Sequence, residues 1–373
     1  MNFDFSDDQK MLQQAARDFL QEASPLSVCR SVLESQQLYS KPVWQGAAQL
    51  GWLGTVIPEE YGGAGFGYLE LAVIAEEVGR ALAPIPFAST AYLATEAILL
   101  AGSSAQRQEF LPKLAAGELV GTFAIAERPG QNGVEGVTTA FDGTSLTGTK
   151  VPVLDGEAAD FAVVVAREGG ATSLVLVDLN GDGVKRSGIE SFDPSRPLAR
   201  IEFASAPATR LGQSGAGAAL TEKLFDRAAV LLAFEQIGSA ARAFDITREY
   251  TLQRYAFGRP IASFQSLKHR LADLWCEIEL ARSNCYYGAW ALSNDDPELA
   301  VAACLARVSA SQAFDNVARD MIQMHGGVGY TWEFDCHLFY RRAKLLSSVI
   351  GTTASWKDKL VNRIEAKEGA AAA

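Results

Sequence analysis

The sequence predicts an α+β multidomain chain in three parts: an N-terminal α-helical domain over residues 1–119, a middle β domain built as a barrel or sandwich over 120–210, and a C-terminal four-helix bundle over 211–373. Three observations carry this. Apolar residues recur at helical spacing in both flanking parts. The middle part switches to short β-rich runs separated by Gly, Asp and Asn. Gly and Pro then cut the last part into a few long segments. Length agrees, because 373 residues exceed what one small hydrophobic core organises.

The elements follow in order. Ser6 or Asp7 can cap a first helix through Met11, Leu12, Ala15, Phe19 and Leu20, whose spacing lines up one apolar face. A second helix starts near Pro42 and ends at Gly51, turning Trp44, Ala48 and Leu50 inward. The glycines of IPEEYGGAGFG make a loop, and helical periodicity resumes from Tyr68 to about Leu82. In the middle part GTFAIAE, SLTGTKVPV, FAVVVA and SLVLVDL read as strands. The last part holds four periodic segments, Ala218–Arg254, Ser263–Leu292, Pro297–His325 and Asp335–Glu365. Long helices with short links pack as a bundle. The GAAAA tail is expected to be disordered.

Composition excludes several classes. A net charge of −11 argues against nucleic acid, whose phosphates need Lys/Arg patches. The apolar run Val230–Phe234 is far short of the roughly 20 residues a membrane span needs. The opening MNFDFSDDQK has no apolar stretch and reads as no signal peptide. Cys29, Cys276, Cys285, Cys304 and Cys336 are odd in number and form no CxxC, so a reducing, cytoplasmic setting is expected. His269, His325 and His337 lack zinc-ligand spacing, and no metal is expected. Gly62–Gly67 and Gly212–Gly217 are glycine-rich, but neither follows a buried strand with a crossover helix, so a Rossmann site is not indicated. GxSxG is absent.

Two stretches are more specific: Arg254-Tyr-Ala-Phe257-Gly258-Arg-Pro260, running on through Phe264-Gln265, and Gln323-Met-His-Gly326-Gly327-Val-Gly329. Together with LGWLGTVIPEEYGGAG, FLPKLAAGE and AIAERPG, they make the chain resemble the acyl-CoA dehydrogenase family over nearly its whole length. The resemblance implies FAD held across a subunit interface. Arg254 and Phe257 match positions that reach the dinucleotide, and Phe264 and Gln265 match the pair continuing that contact. Gln323, Gly326 and Gly327 match a loop that lies against the diphosphate, and Thr352 is carried over as a further flavin-binding position. Arg supplies a fixed charge and a donor fork, and glycines let backbone N–H groups approach a diphosphate. Each motif alone reads more simply as a surface cation or a helix-ending turn.

The sequence also departs from the family. The place of the usual proton-abstracting Glu reads Ile350-Gly351-Thr352, and the alternative place on the first bundle helix is Ala228. Two flavin-facing positions are Ala126 and Pro152-Val153-Leu154. Glu235, about two turns beyond Ala228 in an apolar run, is the candidate base. Burial would raise its pKa. The competing reading is a buried Glu paired to Arg242 or Arg282. Asp226 and Glu222 read as solvated or capping residues. The resemblance implies oxidation of an acyl-CoA to a 2-enoyl-CoA, with electron-transfer flavoprotein as acceptor. It implies a homotetramer, or an α2β2 heterotetramer in which a related chain carries the base. A flavin-free protein of the same fold is the third reading. Pro84–Phe87 with Ala88, Ser89 and Ala91 resembles members taking bulky or branched acyl groups.

Overall fold

The chain enters its first helix where the sequence caps it. Ser6 Oγ accepts from the Gln9 N–H at 3.2 Å, and the Gln9 side chain accepts from the Ser6 N–H at 3.0 Å, opening α1 (Asp7–Ala23). The structure is a computed structural model describing residues 5–131 and 133–371. Its N-terminal part continues through α2 (Leu26–Leu33), α3 (Lys41–Gln49) and α4 (Tyr68–Arg80). A π-helical segment, Ala88–Thr95, then runs directly into α5 (Glu96–Ala101), and α6 (Ser104–Ala115) follows.

Strands take over at β1 (Gly121–Ala124), followed by β2 (Ala140–Phe141), β3 (Ser145–Leu154), β4 (Phe161–Glu168), β5 (Ala171–Asp178), β6 (Val184–Ile189) and β7 (Leu198–Leu211). The pairings β4–β2–β3–β7–β5 return from β5 to β4, so the sheet closes on itself as a barrel. β1 adds in parallel to β4, and β6 lies antiparallel along β7. The unbroken apolar run of β4 is buried from Phe161 to Ala166, because one face fills the barrel and the other is covered by helices; Phe110 of α6 meets Phe161 at 4.9 Å between ring centroids.

The C-terminal part holds α7 (Gly217–Gln253), a two-residue hairpin pair β8 (Tyr255–Ala256) and β9 (Arg259–Pro260), α8 (Gln265–Ser293), α9 (Leu299–His325), α10 (Cys336–Leu346) and α11 (Thr353–Ala371). α7 is buried around its whole circumference from Leu224 to Ala241, which makes it the central helix of the molecule. The three-part architecture expected from the sequence is present. One periodic segment is corrected: Asp335–Glu365 is two helices, separated by Ser347–Thr352, where Gly351 takes φ 113°. A helix cannot pass through that backbone conformation. The tail also differs from expectation, since α11 continues to Ala371; Ala372 and Ala373 lie outside the described residues.

The N-terminal part docks on the bundle through backbone contact. A Cβ on Gly79 of α4 would sit 1.8 Å from the Glu235 carbonyl oxygen, and one on Gly238 of α7 would sit 1.8 Å from that of Glu76. Glycine at both positions lets α4 and α7 touch. Ser239 Oγ then donates to the Gly79 carbonyl at 2.8 Å. Ion pairs flank the crossing: Arg282 of α8 with Glu76, and Arg227 of α7 with Glu96 of α5. No helix among the described residues is long and apolar enough to cross a membrane.

Candidate functional site

The break between α10 and α11 faces the open end of the barrel, and a cavity of about 280 Å³ lies between them. Strand ends supply Phe123, Ile125, Ala126, Pro152 and Leu154; the π segment supplies Leu93, and α7 supplies Phe225. Ser348–Thr352 forms the opposite wall, and Pro129–Gln131 the rim. Phe123 and Phe225 meet edge to face at 5.6 Å, fixing the strand end against the bundle. Ile350 is 4% exposed, and its carbonyl accepts from the Trp356 indole N–H at 3.1 Å, which fastens the break to α11.

Among the described residues lining this cavity there is no carboxylate, histidine, cysteine or basic side chain; its polar side chains are Gln131, Ser348 and Thr352. A second cavity of about 500 Å³ lies beside it, between the Gly133–Glu135 loop, the start of α7, and Ser355, Trp356 and Lys359 of α11. Phe225 and Ile350 line both, so these two side chains form the wall between the spaces. Glu222, on the second cavity, is engaged by Arg363 at 3.0 Å, and Asp226 is bonded to the same guanidinium at 2.8 Å. The solvated or capping reading therefore fails for Asp226, which is 7% exposed.

Glu235 lies elsewhere. It is fully buried, with Oε1 3.5 Å from Arg196 Nη1. Arg196 also grips Asp155 through two bonds, of 2.8 and 3.2 Å, and Ser89 Oγ donates to Asp155 at 2.7 Å. The cluster thus joins the π segment, the β domain and α7. Burial pushes the Glu235 carboxyl up from its ordinary range, while Arg196 and then Arg342 pull it back. Its partner is neither Arg242 nor Arg282, and Arg282 is taken by Glu76. Asp155 and Arg196 stand far from Glu235 in sequence, so no spacing signalled the pairing.

The motif loops gather at one end of the bundle. Arg254 caps α7 and is exposed; Phe257, at φ 53°, is 95% exposed on the hairpin that follows. Phe264 precedes α8, with the Arg259 guanidinium 4.1 Å over its ring, and the Gln265 side chain is exposed. Gln323 is exposed near the end of α9, and beyond it Gly326 and Gly327 have nothing within 4 Å of where a Cβ would stand. Tyr250 of α7 stacks on His325 of α9 at 4.1 Å, which brings the two loops together. None of these residues lines the first cavity; Thr352 does. Ala88, Ser89 and Ala91 are buried in the core and do not line it either, so their small size does not shape that space. The lining residues Leu93, Phe225 and Ser348 carried no sequence signal, being ordinary apolar or small residues at chain-distant positions. No group of three or more His, Cys, Asp or Glu placed to hold a metal occurs among the described residues.

Comparison with known proteins agrees with the three-part fold. The acyl-CoA dehydrogenase N-terminal domain matches residues 6–118, and the acyl-CoA dehydrogenase C-terminal domain matches residues 215–364. The chain is similar to the acyl-CoA dehydrogenase IpdE2 of Mycolicibacterium smegmatis, 32% identical over 93% of this chain and 95% of that protein. Among solved structures, it superimposes on a variant of the steroid ACAD Tcur3481–Tcur3483 with a TM-score of 0.88 and 30% identity, covering 98% of this chain and 99% of that one. Butyryl-CoA dehydrogenase from Megasphaera elsdenii gives a TM-score of 0.89 at 25% identity, covering 98% of this chain and 100% of that one. Sequence matches to both helical parts, with one relative spanning nearly the full length, make this chain a member of the acyl-CoA dehydrogenase family.

Proposed function

We propose that this chain is a flavin-binding subunit of an acyl-CoA dehydrogenase whose proton-abstracting base is carried by a companion chain of the same family. The observation that carries this is the cavity lining. A thioester acidifies the α C–H, but the proton still needs an acceptor within hydrogen-bond reach, and no described residue lining the space between barrel and bundle can accept it at neutral pH. Glu235, the candidate base, is held by Arg196 at the domain junction, and we assign it a structural role. The heteromeric name of the Tcur3481–Tcur3483 relative supports a companion, as do the exposed Phe257 (95%) and Tyr330 (88%), which suit a covered interface in an α2β2 assembly better than solvent.

The residues present fit FAD at its diphosphate end. Gly326 and Gly327 have nothing within 4 Å of a Cβ position, so their backbone is open to a diphosphate, and Arg254 offers a fixed cation at the same end of the bundle. At the ring end Ala126 and Pro152 supply no side-chain donor. When bound, flavin accepts the β hydride. This chain's own contribution is orientation and polarisation. The Ile350 N–H stands at the place of the usual base, and a backbone donor for the thioester oxygen survives the loss of the Glu side chain. Phe225 and Ile350 would set the width available to the acyl group. Electron-transfer flavoprotein is the proposed acceptor.

The test is to purify the chain alone and with a related companion, then record visible spectrum, assembled mass and flavin reduction by acyl-CoA under anaerobic conditions. Reduction should require the companion. Full-rate reduction by this chain alone overturns the companion reading, and a colourless protein under both conditions overturns the flavin reading.

A further inference from the structure

We propose that the cleft between α1, α2, α4 and α7 binds a small oxyanion carried on a short apolar body, such as a short-chain carboxylate. The cleft encloses about 280 Å³ and shares no lining residue with the two cavities above. Three guanidiniums line it, from Arg17, Arg80 and Arg242, against one carboxylate, that of Glu77. Arg17 holds Glu77 through bonds of 3.0 and 2.7 Å, and Arg80 is paired with Asp245 at 2.6 Å. Arg242 has no ion pair or side-chain hydrogen bond among the described residues, so one positive charge in the cleft is uncompensated, in a chain of net charge −11. Such charges are ordinarily paired or fully solvated, whereas Arg242 is only partly exposed.

A second feature points to a ligand independently of charge. Ser24 lines the same cleft, is 2% exposed, and its hydroxyl has no hydrogen-bond partner. A buried hydroxyl left unpaired costs free energy, and an oxyanion would accept a hydrogen bond from it. The next residues, Pro25 and Leu26, also line the cleft and begin α2, whose N-terminus has no side-chain cap. The Val28 N–H already bonds the Pro25 carbonyl at 2.8 Å, so the helix end adds its dipole to the preference for an anion. The rest of the wall, Leu20, Leu26 and Ala81, is apolar. The donors thus form the head of a site, and the apolar wall accommodates a short body behind it.

The experiment uses the assembled protein and two probes at constant ionic strength, butyrate and inorganic phosphate, with binding read by equilibrium dialysis. Butyrate should bind saturably. Arg242→Gln should weaken it about tenfold or more, the size of one lost charge-assisted hydrogen bond. Ser24→Ala should weaken it less, and Arg242→Lys should retain part of the affinity. Phosphate binding as tightly as butyrate would overturn the apolar-body part of the proposal and leave a bare anion site. Absence of saturable binding of either probe to the unaltered protein, unchanged affinity in Arg242→Gln, or displacement of butyrate by an acyl-CoA would each overturn the proposal. The first arm needs no variant, so misfolding of Arg242→Gln leaves the test intact.

Discussion

Glu235 illustrates how a carboxylate in an apolar run acquires its meaning from what faces it. Its Oε1 meets Arg196, which Asp155 already holds by two bonds. Glu235→Gln leaves the Arg196–Asp155 pair intact and removes the remaining charge, so stability should fall by about 1–3 kcal/mol. Flavin reduction in the assembled enzyme should change less than about tenfold, well short of the usual contribution of a general base. A hundredfold slower reduction with unchanged thermal stability would restore Glu235 as the base. Glu127 makes a second residue-scale case. Bonds from Thr138, Thr139 and the buried Lys150 ammonium hold its carboxyl down at about 2, whereas burial drives Lys150 down to about 8. A carboxyl held below its usual value of about 4.3 contributes stability that is present above that pH and lost as pH falls toward about 2. Denaturation midpoints should drop across that window, and Glu127→Gln should remove this share of the drop while lowering stability at neutral pH. An unaltered acid profile in the variant would refute the assignment.

At the level of elements, the α4–α7 crossing is the tightest joint. Gly79 and Gly238 are required there because the opposing group is a carbonyl oxygen, which cannot swing aside as a side chain can. Gly238→Ala places a methyl where 1.8 Å is available, so the helices must separate or the crossing must tilt. The cost should reach about 3 kcal/mol, the upper end of overpacking penalties, despite the better helix propensity of Ala. A thermal unfolding midpoint unchanged from that of the unaltered protein would show the joint to be slack. The break between α10 and α11 is the complementary element: it ends a helix in order to bring Ile350 and Thr352 to the cavity wall.

For the whole molecule, the motif loops and the cavity are separate features. Arg254, Phe257, Gly326 and Gly327 sit at the bundle end around the Tyr250–His325 stack, while Ile350 and Thr352 face the barrel. If the flavin is shared across an interface, Arg254→Ala should lower bound flavin and the assembled mass together. The fold of the isolated chain should remain, because Arg254 is exposed and its backbone N–H, rather than its side chain, closes α7. Far-ultraviolet circular dichroism, the flavin-to-protein absorbance ratio and sedimentation together decide this. Full flavin content in a native-sized assembly would refute the shared-site reading.

Local chemistry made the three-part architecture legible. Helical and strand periods lie within windows of a few residues, and the Ser6 or Asp7 cap was visible as letters, Ser6 being the one that caps, through its bond from the Gln9 N–H. The two motif stretches were legible in the same way, since each is contiguous in the chain. Burial of the carboxylate at Glu235 was legible too, from the apolar run around it. Its partner was not, because Arg196 arrives from the β domain by a barrel closure that no local period encodes. The division of Asp335–Glu365 into two helices escaped for another reason: the periodicity continues across the break, whereas α10 ends at Leu346 and Gly351, at φ 113°, bars a continuous helix into α11. The cavity's enclosure belongs to tertiary structure, although part of its wall was marked in the sequence. Leu93, Phe123 and Phe225 are ordinary apolar residues in sequence, and they join Ile350, Ala126 and Thr352, which the family resemblance had marked, only because strand ends, a π-helical turn, the central helix and an interhelical break pack around one space.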